Sequence, residues 1–242
     1  MKRSIIFILP LLFVFFGANA QRFRVGIFGG VNVTDVDGVD LTDNDNDFHK
    51  FGLTAGGFVN THLGPKNIFQ MEISYSQKGS SQSPDTSQAN FNNNNYYRLR
   101  LNYVDVVLAI RHRIHLNISK KPTNKFDIEG GASIGTLVFH DYEVKSIFYT
   151  MNVNTADVSL FVGAVYNFTP NICFDFRYYN SVLPVIPPDA ANSYFLYYGS
   201  WNRGHNLVFQ GTFKITFGHD PTAENPDVPA PPPPTPADQP QN

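Results

Sequence analysis

A single cysteine, Cys173, stands in the 242 residues. One thiol can form no internal disulfide and supplies no multi-cysteine metal site. Cationic excess is missing as well. Lys and Arg number 18 against 20 Asp and Glu, a formal net charge of −2, which gives no footprint for nucleic acid. Long apolar runs are confined to the first residues. Beyond Phe16 the longest uninterrupted apolar stretch is Val106–Ile110, far short of the roughly 20 residues of a spanning helix. If the later chain crosses a membrane, it does so as strands.

What is present begins with "MKRSIIFILPLLFVFFGANAQ". A basic start (Lys2, Arg3), an apolar run from Ile5 to Phe16 and the small-x-small site Ala18-Asn19-Ala20 form the pattern of a cleaved secretory signal. Residues 1–20 are therefore expected to be a signal peptide, with Gln21 as the mature N-terminus. Residues 21–218 are expected to form one all-β domain, and residues 219–242 a disordered tail.

Segments of period two follow one another through 21–218 with no convincing helical period between them. Eight are expected: 22–34, 51–63, 68–79, 96–114, 125–139, 156–168, 171–179 and 207–220. In the third, Phe69, Met71, Ile73 and Tyr75 oppose Gln70, Glu72, Ser74 and Ser76. In the last, "LVFQGTFKITFGHD", Leu207, Phe209, Phe213, Ile215 and Phe217 oppose Val208, Gln210, Thr212 and Lys214. The connections alternate long and short along the chain. The short ones include "LGPKN" and "FTPN", built from turn formers, and the long ones are mostly polar. A meander of this kind gathers all long loops at one end, as transmembrane barrels do. The expected fold is thus an all-β, eight-stranded antiparallel up-and-down transmembrane barrel.

In such a barrel the aromatic-rich face meets lipid and the polar face fills a narrow lumen. Tyr75, Tyr103, Tyr166, Phe168, Tyr178 and Phe217 would form interfacial girdles. Glycines on the polar face, such as Gly26, Gly131 and Gly163, would relieve crowding inside. Charges there must pair to be tolerated. The expected lumenal network joins the anions Glu72, Asp127, Glu129 and Asp175 with the cations Arg100, Arg111, Arg177 and Lys214. The fourth segment breaks its pattern: Leu99, Leu101 and Tyr103 share one parity and Val106, Leu108 and Ile110 the other. A bulge near Tyr103-Val104 is expected to restore the faces.

The stretches "FRVGIFGGVNVTDVDG", "FQMEISYSQKGSS", "LNYVDVVLAIRHRI", "FDIEGGASIG" and "DVSLFVGAVYNF…ICFDFRYYNSV" together resemble the PorT-like outer-membrane β-barrel domain family of Gram-negative bacteria. The resemblance spans nearly all of 22–218 and rests on structural motifs. It implies an outer-membrane protein of structural or interaction role. The family takes its name from a member linked to type IX protein secretion, so a place in a secretion or envelope assembly machine is the alternative.

Chemistry-bearing groups are few. Asp43, Asp45 and Asp47 alternate as oxygen ligands of a Ca²⁺ loop would, but no glycine follows and no glutamate stands at the twelfth position; a solvated acidic loop is the better reading. His112 and His115 lie three apart beside a turn, a weak metal pair. A lipid-modifying enzyme, the third alternative, would need a nucleophile and base at one rim; Ser200 and His205 are near one another, but no motif surrounds them. No catalytic residue, metal or cofactor is therefore expected, and an eight-stranded interior filled by side chains is no pore. The tail holds nine of the 17 prolines and reads as extended and polyproline-II-rich. Expected partners are outer-membrane lipid and a periplasmic protein docked through 219–242. The barrel is expected to be monomeric, with periplasmic termini and extracellular long loops.

Overall fold

The computed structural model describes residues 23–37, 50–82, 97–118, 121–144, 147–149, 152–187 and 204–218. They form β1 (Arg24–Val36), β2 (Lys50–His62), β3 (Asn67–Gln82), β4 (Tyr97–Ile118), β5 (Lys121–Val144), β6 (Ile147–Tyr149), β7 (Ala156–Asn167), β8 (Ile172–Ser181) and β9 (Asn206–Phe217). Each long strand pairs antiparallel with its neighbours, and β1 closes onto β9 from Val25↔Phe217 to Val36↔Asn206. With β4 also joined to β5, the sheet is a closed barrel of eight staves. The short β6 lies outside the ring, paired among the described residues only with Tyr142–Val144 of β5. Closure removes the open edges that a sheet in lipid cannot leave unpaired.

The expected alternation of connections holds. Residues 63–66 and 168–171 make tight turns at one end, here the short-turn end. The connections β1–β2, β3–β4, β5–β7 and β8–β9 lie at the other, the long-loop end. At the short-turn end β4 and β5 run on beyond the expected strand boundaries, pairing as far as Ile118↔Lys121. Residues 115–118 and 121–124, read from the sequence as connection, thus prolong a hairpin.

Period two dictates what each stave presents to either side. In β8, Cys173, Asp175, Arg177, Tyr179 and Ser181 are buried, whereas Ile172 and Phe176 are exposed. In β9, Phe213 is 58% exposed and Lys214 only 1%. The protein is inside out relative to a soluble sandwich: its aromatics and aliphatics look outward and its charges inward.

Three expectations are corrected, all by one feature. First, β4 carries no bulge between Tyr103 and Val104: its register with β3 runs unbroken from Asn67↔His112 to Gln82↔Tyr97. The shift falls on the partner strand, where Asn102 faces Phe139 and Tyr103 faces Leu137, leaving Val138 of β5 as the extra residue. Second, Tyr103 is not part of an outer girdle. It points inward and is fully buried, as are Leu99 and Leu101. Third, Arg100 is not lumenal. Its side chain is 41% exposed and pairs with Asp141 across β4 and β5 on the outer face. The common cause is a change of surroundings along a regular strand. From Val104 to Ile110 the outer face is apolar; from Arg98 to Asn102 it is polar, and the inner face becomes apolar instead. Toward the long-loop end, the barrel reverts to the inside-apolar rule of a water-soluble protein.

Candidate functional site

The inner surface is built in layers, each from side chains that the pleat of several strands brings to one height. Nearest the short-turn end, Arg113 pairs with Asp127 at 3.5 Å, and Asn167 Nδ2 donates to the same carboxylate at 2.9 Å. Above them lies the main charge layer. Arg177 on β8 donates through Nη1 and Nη2 to both oxygens of Glu72 on β3, at 2.9 and 2.6 Å. Its Nε donates to Glu129 on β5, and Nη2 lies 3.0 Å from Asp175. Lys214 on β9 reaches Glu72 and Asp175, each at 2.6 Å. Arg111 on β4 lies 3.6 Å from Glu129.

Three carboxylates thus meet three cations with almost no exposure to solvent, so the layer is neutral. A buried charge is tolerated only when it is paired. Aromatic rings complete the setting. Arg177 sits 4.7 Å above Phe161, and Lys214 lies 5.3 Å from Phe28 and 5.7 Å from Phe58, within range of the ring quadrupole. Glycines make room for these groups. A Cβ on Gly163 would stand 3.0 Å from Arg177 Cγ and 3.2 Å from Glu129 Cγ.

Of the eight expected lumenal residues, Glu72, Arg111, Asp127, Glu129, Asp175, Arg177 and Lys214 lie inside, and Arg100 does not. The sequence reading missed a further layer nearer the long-loop end. There Lys78 bridges Asp105 at 3.2 Å and Asp157 at 3.0 Å. Asp157 also accepts from Ser159, Ser181 and Asn206. The signal was available: the parity that turns Glu72 inward also turns Lys78 inward, six residues along the same strand.

Over this layer sits an apolar stopper. Val36, Tyr97, Leu99, Leu101, Tyr103 and Tyr142 line the mouth, and Val185 and Ile186 from the chain after β8 fill it. Both Val185 and Ile186 have no exposed surface. Their amides donate to Gly204 O at 2.6 and 3.2 Å, and Asn154 N donates to Val185 O at 2.8 Å. Gly204 has φ +75°, and a Cβ there would lie 2.5 Å from Ile186 O; only glycine serves.

The weaker candidates are dispersed. Asp43, Asp45, Asp47 and Ser200 lie outside the described residues, as do the signal segment and the tail. His205 Nδ1 is 2.8 Å from Ser181 O, and His112 Nδ1 is 2.7 Å from Asn67 Oδ1. Among the described residues no group of three or more His, Cys, Asp or Glu could hold a metal ion.

The architecture is apolar outside, paired in charge inside and closed without an edge, and the chain matches a family model described as outer membrane protein beta-barrel domain over residues 18–186. The chain belongs to that family. It is an outer-membrane β-barrel protein, and the exposed apolar residues of its belt face lipid. No curated protein sequence matches it. Among solved structures, Ail, the attachment invasion locus protein of Yersinia pestis, is 13% identical, with 80% of this chain and 98% of that chain covered and a TM-score of 0.45. CarO of Acinetobacter baumannii is 12% identical, covering 80% of this chain and 98% of its own, also at 0.45. Neisserial surface protein A is 10% identical over 81% and 97%, at 0.40.

Proposed function

We propose that this outer-membrane barrel is a closed scaffold whose role is structural or interactive, with the long loops outside the cell and both termini in the periplasm. The observation that carries the reading is the filled lumen. Paired charges occupy its middle, and Val185 and Ile186 stop its mouth. An interior filled by side chains gives solutes no path, so the surfaces left for function are the long-loop end, the outer face and the tail. Even parity of the staves, together with a leading segment of secretory-signal pattern, favours periplasmic termini.

Conductance across planar bilayers tests the closed scaffold. The purified barrel is expected to give no stable conductance steps; a reproducible single-channel conductance would sink the proposal. Protease treatment of intact cells tests orientation, with cleavage expected in 38–49 and 83–96 and none in 219–242. The finer PorT-like reading, with a place in a secretion or envelope assembly, rests on the motifs "EISYSQKG" and "NYVDV". It requires a partner that co-purifies with the full chain and is lost when 219–242 is deleted from an intact barrel.

A further inference from the structure

Charge is sorted along the barrel axis. At the short-turn end the charged side chains described are Arg24, Lys66, Arg113 and Lys125, against Asp127 alone. Asp127 is buried and already paired with Arg113. Lys66 and Lys125 are exposed, and Arg22, Lys120 and Lys121 adjoin this end in sequence. The long-loop end has the opposite balance: its connections hold Asp37, Asp40, Asp43, Asp45, Asp47, Asp85 and Asp189 against Lys145 and Arg203. Residues 21–218 as a whole contain 16 cations and 16 anions, so the positive rim arises from position within a neutral domain.

The tail carries the complementary charge. Residues 219–242 contain Asp220, Glu224, Asp227 and Asp238 and no Lys or Arg. They leave the barrel at the positive end. Phe217 is paired with Val25, so Arg24 stands beside Gly218, where the chain turns out of the sheet at φ +98°. Arg24 is held there by Asn171 Oδ1 at 2.8 Å and Pro170 O at 3.1 Å. A proline-rich segment of this length reaches roughly 70 Å at the polyproline II rise, enough to lie along a barrel rim. Its stiffness also reduces the ordering entropy that docking costs.

We infer that the acidic, proline-rich tail 219–242 docks on the basic short-turn rim of its own barrel, an electrostatic clasp centred on Lys66 and Lys125. The clasp neutralises the rim, and a periplasmic partner of the tail would have to compete with it. The occupant is this chain's own segment because it is tethered beside the rim, where its effective concentration exceeds that of a free anionic partner. Ion pairs at an exposed rim are screened by salt over about 8 to 10 Å near physiological ionic strength, so the clasp opens as salt rises.

The test places a nitroxide on Ala230→Cys in a Cys173→Ser background and reads paramagnetic broadening of the backbone amides of Leu63, Gly64, Lys66 and residues 125–127, in neutral micelles. Loss of those signals is expected at low salt, with recovery at about 0.5 M NaCl. Recovery is also expected when Asp220, Glu224, Asp227 and Asp238 are changed to Asn or Gln, and in Lys66→Glu with Lys125→Glu. Heat-modifiable gel mobility confirms that each variant keeps its barrel. Unbroadened signals at low salt overturn the clasp, and so does broadening that survives neutralisation of the tail. Broadening seen only between mixed chains would make the contact intermolecular and overturn it equally. In nanodiscs, broadening that persists with zwitterionic lipid but vanishes with anionic lipid would assign the rim to lipid headgroups instead.

Discussion

Arg177 and Glu72 lie 105 positions apart in sequence and meet across the lumen in a two-pronged ion pair, 2.6 Å at its shorter contact. Arg100 and Asp141 meet at the same 2.6 Å on the outer face, where the Arg100 side chain is 41% exposed. The two pairs share a distance and differ in surroundings. Removing one partner from a buried pair strands the other and costs about 3–5 kcal/mol; an exposed pair contributes about 0–1 kcal/mol. Glu72→Ala should therefore lower the unfolding free energy of the reconstituted barrel by several kcal/mol, and Asp141→Ala should barely change it. Urea titrations in lipid vesicles measure both. Equal losses would mean that the charge layer is solvated.

Two adjacent glycines separate crowding from tolerance. A Cβ on Gly30 would stand 2.0 Å from Gly211 O, a backbone atom that cannot step aside. On Gly29 the nearest atom beyond its chain neighbours is Thr54 O at 4.0 Å. Overpacking typically costs about 1–3 kcal/mol and occasionally more. Gly30→Ala should weaken folding by at least that much, and Gly29→Ala should be nearly neutral. Folding yield into detergent, followed by heat-dependent gel mobility, reads the difference.

Most of the barrel was legible in its sequence because period two and the loop rhythm act locally. Glu72, Asp175 and Lys214 could be turned inward from the parity of their own strands. The failures came where the surroundings changed and the chain did not. At Leu101 and Val106 the parity of apolar residues flips, which sequence reading attributes to a bulge in β4. The strand is regular, and lipid gives way to water outside it. The bulge opposite this stretch, at Val138, shows in no local pattern because Val138 and Phe139 are both exposed. Nor could sequence place Val185 and Ile186 in the mouth, since that contact joins a long connection to strands far away in the chain.

The stopper gives a third prediction. Ile186 has no exposed surface, whereas Leu183, three residues earlier, is 47% exposed. Truncating a buried Ile to Ala costs about 2–5 kcal/mol, depending on how far the site collapses. Ile186→Ala should destabilise the barrel and speed hydrogen exchange at the amides of residues 97–103. Leu183→Ala should do neither. Unchanged exchange in Ile186→Ala would mean that the mouth is sealed by something other than this side chain.

The assignment of faces can be tested at two adjacent residues of β9. Phe213 and Lys214 follow one another in sequence, and the first looks outward while the second touches Glu72. With the native Trp201 changed to Phe, a Phe213→Trp probe should emit at short wavelength and be quenched by lipids brominated along their acyl chains. A Tyr179→Trp probe, placed where the native ring is 6% exposed and packs 4.8 Å from Phe161, should resist the same quencher. The comparison matters because both sites are shielded from water, so emission wavelength alone does not separate lipid from lumen. Contact with the bromines does. If the Tyr179 probe were quenched as strongly as the Phe213 probe, the inward face would also be open to lipid, and the paired charges of Glu72, Arg177 and Lys214 would have no dry interior in which to matter.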